Sequence, residues 1–131
     1  MTARTVEPGR CSWFDLPAAN LSDAMSFYEG LFGWAYQRMD EAPEPDYVMI
    51  SAGGALIGGI RRVKSAPREK EDGGSPILYF SVDRLGPKAA RAKELGATLV
   101  GGPVSLGKDR GYYQWLKDRE KNLVALWAPA P

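Results

Sequence analysis

Few side chains in this sequence are able to carry acid–base, nucleophilic or metal chemistry. The chain has no histidine, which is the commonest general base and metal ligand in proteins. Ser51 and Ser81 therefore have no histidine partner, which argues against a hydrolase triad. The carboxylate in the aromatic run Trp13-Phe14-Asp15 is the sharpest candidate. A buried carboxyl group has a raised pKa and is able to act as a general base or to bind an amine.

Composition and charge limit the functional classes. With 131 residues, 44% of them hydrophobic and 25% charged, the chain is predicted to form one domain over residues 1–131. Its net charge of +1 argues against nucleic acid and anionic membrane surfaces as partners. No run approaches the roughly 18 apolar residues of a membrane span, and the N-terminus lacks the apolar core of a signal peptide. The single cysteine, Cys11, excludes an internal disulfide and is expected to be a buried, inert thiol, so we predict a cytoplasmic protein.

The segment from Cys11 to Gly33 predicts a strand followed by an amphipathic helix. Residues 11–17 alternate as a strand. Asn20 is a favourable N-cap, with Asp23 three residues later as the acid of a capping box. Gly33 suits the left-handed conformation that ends many helices. The side chains expected to face the core are Ala24, Phe27, Tyr28, Leu31 and Phe32.

The rest of the chain repeats the same order. Further strands are predicted at residues 34–39, 47–51, 55–60, 77–83, 97–101, 111–117 and 123–127. The second helix is expected to have Pro87 at its first position and to end at Gly96. Its predicted buried stripe consists of Leu85, Ala89, Ala92 and Leu95.

This order, βαβββ twice, predicts an α+β fold. Two tandem modules, at residues 10–61 and 76–128, are expected to form a curved mixed sheet around a cleft. A charged, Gly-rich segment at residues 62–75 joins them, and we interpret the basic run that begins at Arg61 as part of a solvated linker.

Four short motifs stand at the junctions of these elements: Phe27-Tyr28-x-x-Leu31-Phe32-Gly33-Trp34, Phe80-Ser81-Val82-Asp83, Lys93-Glu94-Leu95-Gly96-Ala97 and Asp118-x-x-x-Asn122. With these motifs the sequence resembles the vicinal oxygen chelate superfamily, which holds the glyoxalases, bleomycin-resistance proteins and extradiol dioxygenases. The resemblance covers nearly the whole chain, from Cys11 to Trp127. It is specific for the fold and weak for the chemistry, because one fold hosts many functions.

The resemblance implies four metal-ligand positions, which are typically His and Glu, sometimes Gln, in enzymes of the superfamily. Counted from the motifs, these positions are Trp13, Gly58, Ile77 and Ala125 in this chain. Since none of these side chains ligates a metal, we expect no metal or other cofactor and no metal-dependent glyoxalase or dioxygenase activity. The final turn also departs from the superfamily pattern, because Lys121 replaces a glycine suited to positive φ.

Strand alternation, anchored on those positions, predicts which side chains line the cleft. The predicted ligand-binding residues are Trp13, Asp15, Tyr79, Ser81, Tyr113, Trp115, Ala125 and Trp127. The set is rich in tryptophan and tyrosine, which suits a flat organic ligand, although the same rings are equally suited to filling the cleft. Asp15 is the candidate catalytic residue. The alternative is a purely structural role, in which Asp15 lies at the end of the strand and pairs with a lysine or arginine or caps a turn.

Three functions are compatible with this pattern. The first is metal-independent binding of a small aromatic or amphipathic organic molecule, for sequestration or resistance. The second is a metal-independent enzyme that uses Asp15 or a tyrosine as its acid–base group. The third is an interaction module whose aromatic side chains form a dimer interface. A homodimer fits all three, because one pair of modules leaves much apolar sheet to cover.

Overall fold

The computed structural model of the protein describes residues 7–38, 46–64 and 75–131. The elements in these ranges are β1 (Cys11–Ala18), α1 (Leu21–Phe32), β2 (Ala35–Arg38), β3 (Tyr47–Ala52), β4 (Ala55–Arg62), β5 (Ile77–Ser81), α2 (Leu85–Glu94), β6 (Thr98–Ser105), β7 (Tyr112–Lys117) and β8 (Leu123–Ala128). Their order confirms the predicted α+β class with βαβββ twice. Most of the predicted linker, residues 65–74, lies outside the described residues. Neither described helix has the length and apolar character needed to cross a membrane.

The chain divides into two compact units, which we call the module-one unit (residues 13–77) and the module-two unit (residues 1–12 and 78–131). In the module-one unit the strand order is β2-β3-β4-β1, with β1 parallel to β4 and the other pairs antiparallel. In the module-two unit the order is β6-β7-β8-β5, with β5 parallel to β8 and the other pairs antiparallel. Each unit therefore has the same internal topology.

The module-one unit begins at residue 13, later than the predicted residue 10, because the preceding backbone pairs with β5. The Gly9 N–H donates to the Ser81 carbonyl at 2.8 Å, and the Ser81 N–H donates to the Arg10 carbonyl at 2.9 Å. The Ser81 hydroxyl also donates to Ser12 Oγ at 2.6 Å. These bonds make residues 7–12 part of the module-two unit.

Helix α1 begins and ends as the sequence predicts. The Asp23 N–H donates to Asn20 Oδ1 at 2.9 Å, which satisfies one of the free donors of the first turn. Gly33 adopts the left-handed conformation with φ 72°. Its N–H donates to the Glu29 carbonyl at 2.8 Å, so the helix stops at Phe32.

The predicted core face of α1 is wrong for three side chains. Phe27, Leu31 and Phe32 are 61%, 59% and 59% exposed. The stripe that packs on the sheet consists of Leu21, Ala24, Met25 and Tyr28, against Ala18, Val48, Ile50 and Ile60. A helix lying on a sheet buries one such stripe, so the side chains turned away from it remain exposed. The homodimer expected from the sequence stays a prediction.

Helix α2 begins at Leu85, so Pro87 lies within the first turn and not at its first position. Leu85 and Ala89 are buried as predicted, at 2% and 8% exposure. The prediction for Leu95 is wrong, because this residue is 57% exposed. It is the C-cap, one residue beyond the last helical residue, and is no longer directed at the sheet by helical periodicity.

Two further burial predictions are wrong. The sequence places Arg61 in the solvated linker, but it is 8% exposed. Strand β4 continues through Arg62 and pairs with β1 and β3 over this stretch, which draws Arg61 into the sheet. Cys11, expected to be buried, is exposed because it is the first residue of β1.

The turn between β7 and β8 is closed by Asp118. Its Oδ1 accepts the N–H groups of Glu120 and Asn122 at 2.9 Å each, and its Oδ2 accepts the Asn122 side-chain amide at 3.0 Å. These bonds, led by the Asn122 side chain, hold the pKa of Asp118 below its ordinary value. Lys121 has φ 68°, a conformation in which a Cβ is unfavourable. The position expected to suit glycine therefore holds a lysine in a glycine-like conformation.

We expect Lys121→Gly to stabilise the fold by up to about 1 kcal/mol, because glycine adopts positive φ without the Cβ penalty. Lys121→Ala is the matched control, since it removes the same charge and keeps the Cβ. Urea unfolding of the three proteins measures the difference. An equal gain in both variants would show that the lysine charge, and not the backbone conformation, sets the cost.

Candidate functional site

Each four-stranded sheet packs one face against its helix, and we call the opposite face the helix-free face. In the module-one unit the strand residues directed toward α1 include Val48, Ile50 and Ile60. Asp15 and Met49 both pair with Gly59. Paired residues on adjacent strands point to the same side. Asp15, Met49 and, by alternation, Trp13 therefore lie on the helix-free face.

A chain of three hydrogen-bonded side chains lies on this face, and we call it the indole–phenol–carboxylate chain. The Trp13 indole N–H donates to Tyr47 Oη at 2.8 Å. The Tyr47 hydroxyl donates in turn to Asp15 Oδ1 at 2.6 Å. Asp15 is 4% exposed, whereas Trp13 and Tyr47 are half-buried. The candidate catalytic carboxylate is thus buried and held by a phenol.

Gly59 makes room for this chain. A Cβ at residue 59 would overlap the hydroxyl oxygen and the Cζ carbon of Tyr47. The Tyr47 ring therefore lies directly over the backbone of β4, which lets its hydroxyl extend from β3 to Asp15 on β1. Arg61 pairs with Tyr47 in the ladder and occupies the next position of the same face. One buried carboxylate and one buried guanidinium therefore lie on the helix-free face of this unit.

The predicted position Gly58 is wrong by one residue. Gly58 pairs with Ile50, and a Cβ there would meet the Phe14 carbonyl oxygen at 2.5 Å and the Phe14 ring at 2.9 Å. Both neighbours belong to the side that packs on α1. A register shift between Ile50 and Ser51 leaves one extra residue in β4, so counting from Ala55 gives the wrong face. The position on the helix-free face is Gly59.

In the module-two unit, six of the predicted ligand-binding residues share the helix-free face. The register pairs Tyr79 with Ala125 and Ser81 with Trp127 across β5 and β8, and it pairs Trp115 with Ala125 and Tyr113 with Trp127 across β7 and β8. On the opposite side, Val82, Leu126 and Ala128 pack with Leu85 of α2. Strand alternation thus places these six side chains together on one side of the sheet.

The aromatic rings of this face contact one another. Tyr79 and Tyr113 meet edge to face with ring centroids 5.7 Å apart, and Tyr113 lies 6.4 Å from Trp115. The Trp115 indole N–H donates to Tyr79 Oη at 3.3 Å. Tyr79 is 6% exposed, while Tyr113 and Trp115 are half-buried. The rings therefore form a cluster in which Tyr113 and Trp115 keep part of their surface exposed.

Trp127 is held at the edge of the same face. Its indole N–H donates to the Arg110 carbonyl at 2.9 Å. A Cβ at Gly111, which has φ 90°, would lie 2.7 Å from the Trp127 ring and 2.5 Å from the Ala128 carbonyl oxygen. Glycine at this position therefore allows the backbone to approach the indole.

Sequence reasoning missed Tyr47. Alternation along β3 places Tyr47 and Met49 on one side, which was a usable signal. Alternation does not show that β3 lies beside β4, or that the Tyr47 ring lies over Gly59. The phenol of Tyr47 enters the site through this contact between residues far apart in sequence.

Most of the chain matches a protein-family profile. The profile of the Glyoxalase/Bleomycin resistance protein/Dioxygenase superfamily matches residues 10–126. This chain belongs to that superfamily. Among curated proteins it is 26% identical over 127 residues to CFP32 of Mycobacterium bovis, which carries the provisional name glyoxylase. The alignment covers 95% of this chain and 46% of CFP32, so the chain spans about half the length of that relative.

Several solved structures share the superfamily fold with this chain. Methylmalonyl-CoA epimerase from Mycobacterium tuberculosis has a TM-score of 0.64 at 18% identity, covering 100% of this chain and 94% of the epimerase. Hypothetical protein BH1468 from Bacillus halodurans has a TM-score of 0.66 at 13% identity, covering 93% and 95%. A superfamily member from Vibrio splendidus has a TM-score of 0.60 at 14% identity, covering 88% and 95%. At these identities the likeness shows the fold alone.

The metal-ligand positions implied by the superfamily do not fit a metal ion in this chain. At the β1 position, the Trp13 indole is a donor only, and it donates to Tyr47. The β4 position is Gly59, which has no side chain. The remaining two, Ile77 and Ala125, are both 0% exposed and apolar. No group of three or more His, Cys, Asp or Glu side chains suited to a metal is found within residues 7–38, 46–64 and 75–131.

We expect Gly59→Ala to displace Tyr47 and to destabilise the fold by about 1–3 kcal/mol, because the added methyl overlaps the ring. In a Tyr47→Ala background the same methyl meets no ring, so most of its cost is expected to disappear. A double-mutant cycle measured by urea unfolding gives the coupling between the two positions. Simple additivity would contradict the close approach of Tyr47 to residue 59.

Proposed function

We propose that the chain binds a small aromatic or amphipathic organic molecule without a metal ion, through side chains of the helix-free face of the module-two unit. The observation that carries the proposal is the aromatic cluster of Tyr79, Tyr113 and Trp115. Two of its rings are half-buried, and its polar tips are already ordered by the Trp115–Tyr79 hydrogen bond. Aromatic walls with a few fixed polar groups are typical of sites for flat organic ligands.

Two further observations support metal independence and a small-molecule ligand. The superfamily positions that would hold a metal carry side chains without metal-donor atoms, as Ile77 and Ala125 illustrate. The curated relative and one structural neighbour are named for activities on small organic molecules, as a glyoxylase and as methylmalonyl-CoA epimerase. A protein of this superfamily that has no metal ion is still able to bind a small organic molecule through the side chains of the same face.

Native mass spectrometry of the protein taken gently from its expression host tests the proposal. We expect a native mass that exceeds the denatured mass by one organic ligand, or, for protein that has lost its ligand, micromolar binding in a screen of aromatic compounds read by tryptophan fluorescence. The Trp115→Ala variant is expected to bind more weakly, because it removes a half-buried ring. A metal-sized mass increment would overturn metal independence. A screen in which no compound changes fluorescence or melting temperature would favour the interaction-module function instead.

A second candidate function is a metal-independent enzyme with Asp15 as its general base. The observation that favours it is the burial of Asp15 together with its 2.6 Å hydrogen bond from Tyr47, since a base is commonly oriented by a second group. We expect Asp15→Asn to keep the fold, monitored by circular dichroism, and to lower turnover of any identified substrate by about 100-fold or more. Unchanged turnover in that variant would remove Asp15 from the mechanism.

A further inference from the structure

We propose that the outer side of helix α1 is the surface through which the chain pairs with a second copy of itself. We call this surface the α1 outer patch and define it by Ser26, Phe27, Gly30 and Leu31. These residues lie outside the stripe of α1 that packs on the sheet of the module-one unit. The patch shares no residue with the proposed ligand face, so this pairing does not depend on the proposed function.

The first observation is a concentration of exposed apolar side chains. Among the residues that the structure describes, six large hydrophobic side chains are exposed, and three of them, Phe27, Leu31 and Phe32, lie in the last two turns of α1. Phe27 and Leu31 are four positions apart and are therefore neighbours on one side of the helix. Single exposed hydrophobic residues need no explanation, whereas a cluster of them marks an interaction surface.

Gly30 is the second observation, because nothing within one copy of the chain requires glycine there. A Cβ at Gly30 would meet no atom within 4 Å, and the residue is not among those with positive φ. Glycine nevertheless destabilises a helix relative to alanine. Ser26, one turn earlier, is also small and exposed. Small residues one turn apart let the backbone of a second helix approach closely.

The α1 outer patch carries both parts of a helix–helix contact. Phe27 and Leu31 form a ridge, and Ser26 and Gly30 form a shallow groove beside it. Helices pack by placing the ridge of one into the groove of the other. In a two-fold dimer both copies present the same surface, so each ridge enters the groove of the other copy. A surface that supplies its own complement favours a second copy as the occupant.

The exposed area fits the same occupant. Phe27, Leu31 and Phe32 are each about three-fifths exposed, and side chains of this size then offer roughly 100 Å² apiece. With the small residues beside them, one copy would bury about 500 Å² and the pair about 1,000 Å², which is the lower limit for a specific interface. The expected dimer is therefore one that dissociates on dilution.

The aromatic rings beside the patch are already ordered. Tyr28 meets Phe27 edge to face with centroids 5.0 Å apart, and it stacks on Phe32 at 6.1 Å. Phe32 in turn lies 5.2 Å from Trp34. Association that immobilises few additional side chains loses less conformational entropy. A small interface of ordered rings is therefore able to hold two copies together.

The charges of α1 disfavour an anionic membrane surface as the occupant and favour one orientation of the pair. The helix carries Asp23 and Glu29 and has no lysine or arginine, whereas helices that lie on membranes are typically basic on their polar face. In an antiparallel pair centred on Phe27, the two Asp23 carboxylates lie about 12 Å apart along the helix axis. That distance exceeds the Debye length of roughly 8–10 Å, so their repulsion is largely screened.

Sedimentation velocity of the full chain, from about 1 to 200 µM, tests the pairing. We expect a monomer at the lowest concentration and a dimer at the highest, with a dissociation constant on the order of 10 µM, as suits an interface of this size. Circular dichroism at the lowest concentration checks that each variant below is folded.

Gly30→Ala separates the two roles that this residue could have. The added methyl group is expected to raise the melting temperature of the dilute monomer by about 3 °C, because alanine favours the helix. The same methyl group enters the groove and is expected to weaken dimerisation about tenfold or more. Ser26→Ala is the matched control in the groove, since it keeps a small side chain, and it is expected to leave dimerisation unchanged.

Leu31→Glu tests the ridge and is expected to give a monomer at every concentration, because it places a charge in the contact. Leu95→Glu is the matched control. Leu95 is the same residue type, is similarly exposed at 57%, and lies at the end of α2 in the other unit. This variant is expected to dimerise like the unmodified chain.

Each outcome decides the proposal. A chain that is monomeric throughout the concentration range overturns it, whether or not the patch binds lipid vesicles or another protein. A dimer that survives Leu31→Glu, or an equal loss in Leu95→Glu, overturns it by placing the interface elsewhere. Unchanged association in Gly30→Ala overturns the close helix contact. Because the patch and the ligand face share no residue, ligand binding by monomeric Leu31→Glu reports on the proposed function separately.

Discussion

One geometrical constraint governs both units: within the described residues, each has four paired strands with two faces and one helix to cover them. The helix buries one face, and the side chains of the strands line the other. Tyrosine and tryptophan suit that face, since each joins a large apolar surface to one polar atom that finds a partner. The same contact appears in each unit, an indole N–H on a phenol oxygen, from Trp13 to Tyr47 and from Trp115 to Tyr79.

The module-one unit differs because its contact continues to a carboxylate. Burying Asp15 is unfavourable unless its charge receives strong hydrogen bonds, and the Tyr47 hydroxyl supplies one of them. That bond depends on glycine at residue 59, because a side chain there would overlap the Tyr47 ring that lies across β4. A backbone feature thus determines how the buried carboxylate of the helix-free face is held.

The two faces of these sheets carry different kinds of contact. The fold of the module-one unit depends on the helix-covered side, where Val48, Ile50 and Ile60 pack with α1. The donor atoms of a metal site would belong to the helix-free side. Side chains on that face do not take part in these helix contacts, so one scaffold is able to host different chemistries.

The sequence by itself determined the features that depend on neighbours a few residues away. These are the βαβββ order, the Asn20 cap and the Gly33 stop. Strand alternation also placed the module-two aromatic residues on one face, because β7 and β8 are joined by a short turn that fixes their register.

Only the tertiary structure decided the stripe that α1 buries, the burial of Arg61, and the choice of Gly59 over Gly58. It alone also brought Tyr47 to Asp15, 32 residues away in the chain. The physical reason is common to these cases. A one-residue bulge or a small helix rotation exchanges inward and outward positions, and neither changes the local preferences that a sequence pattern records.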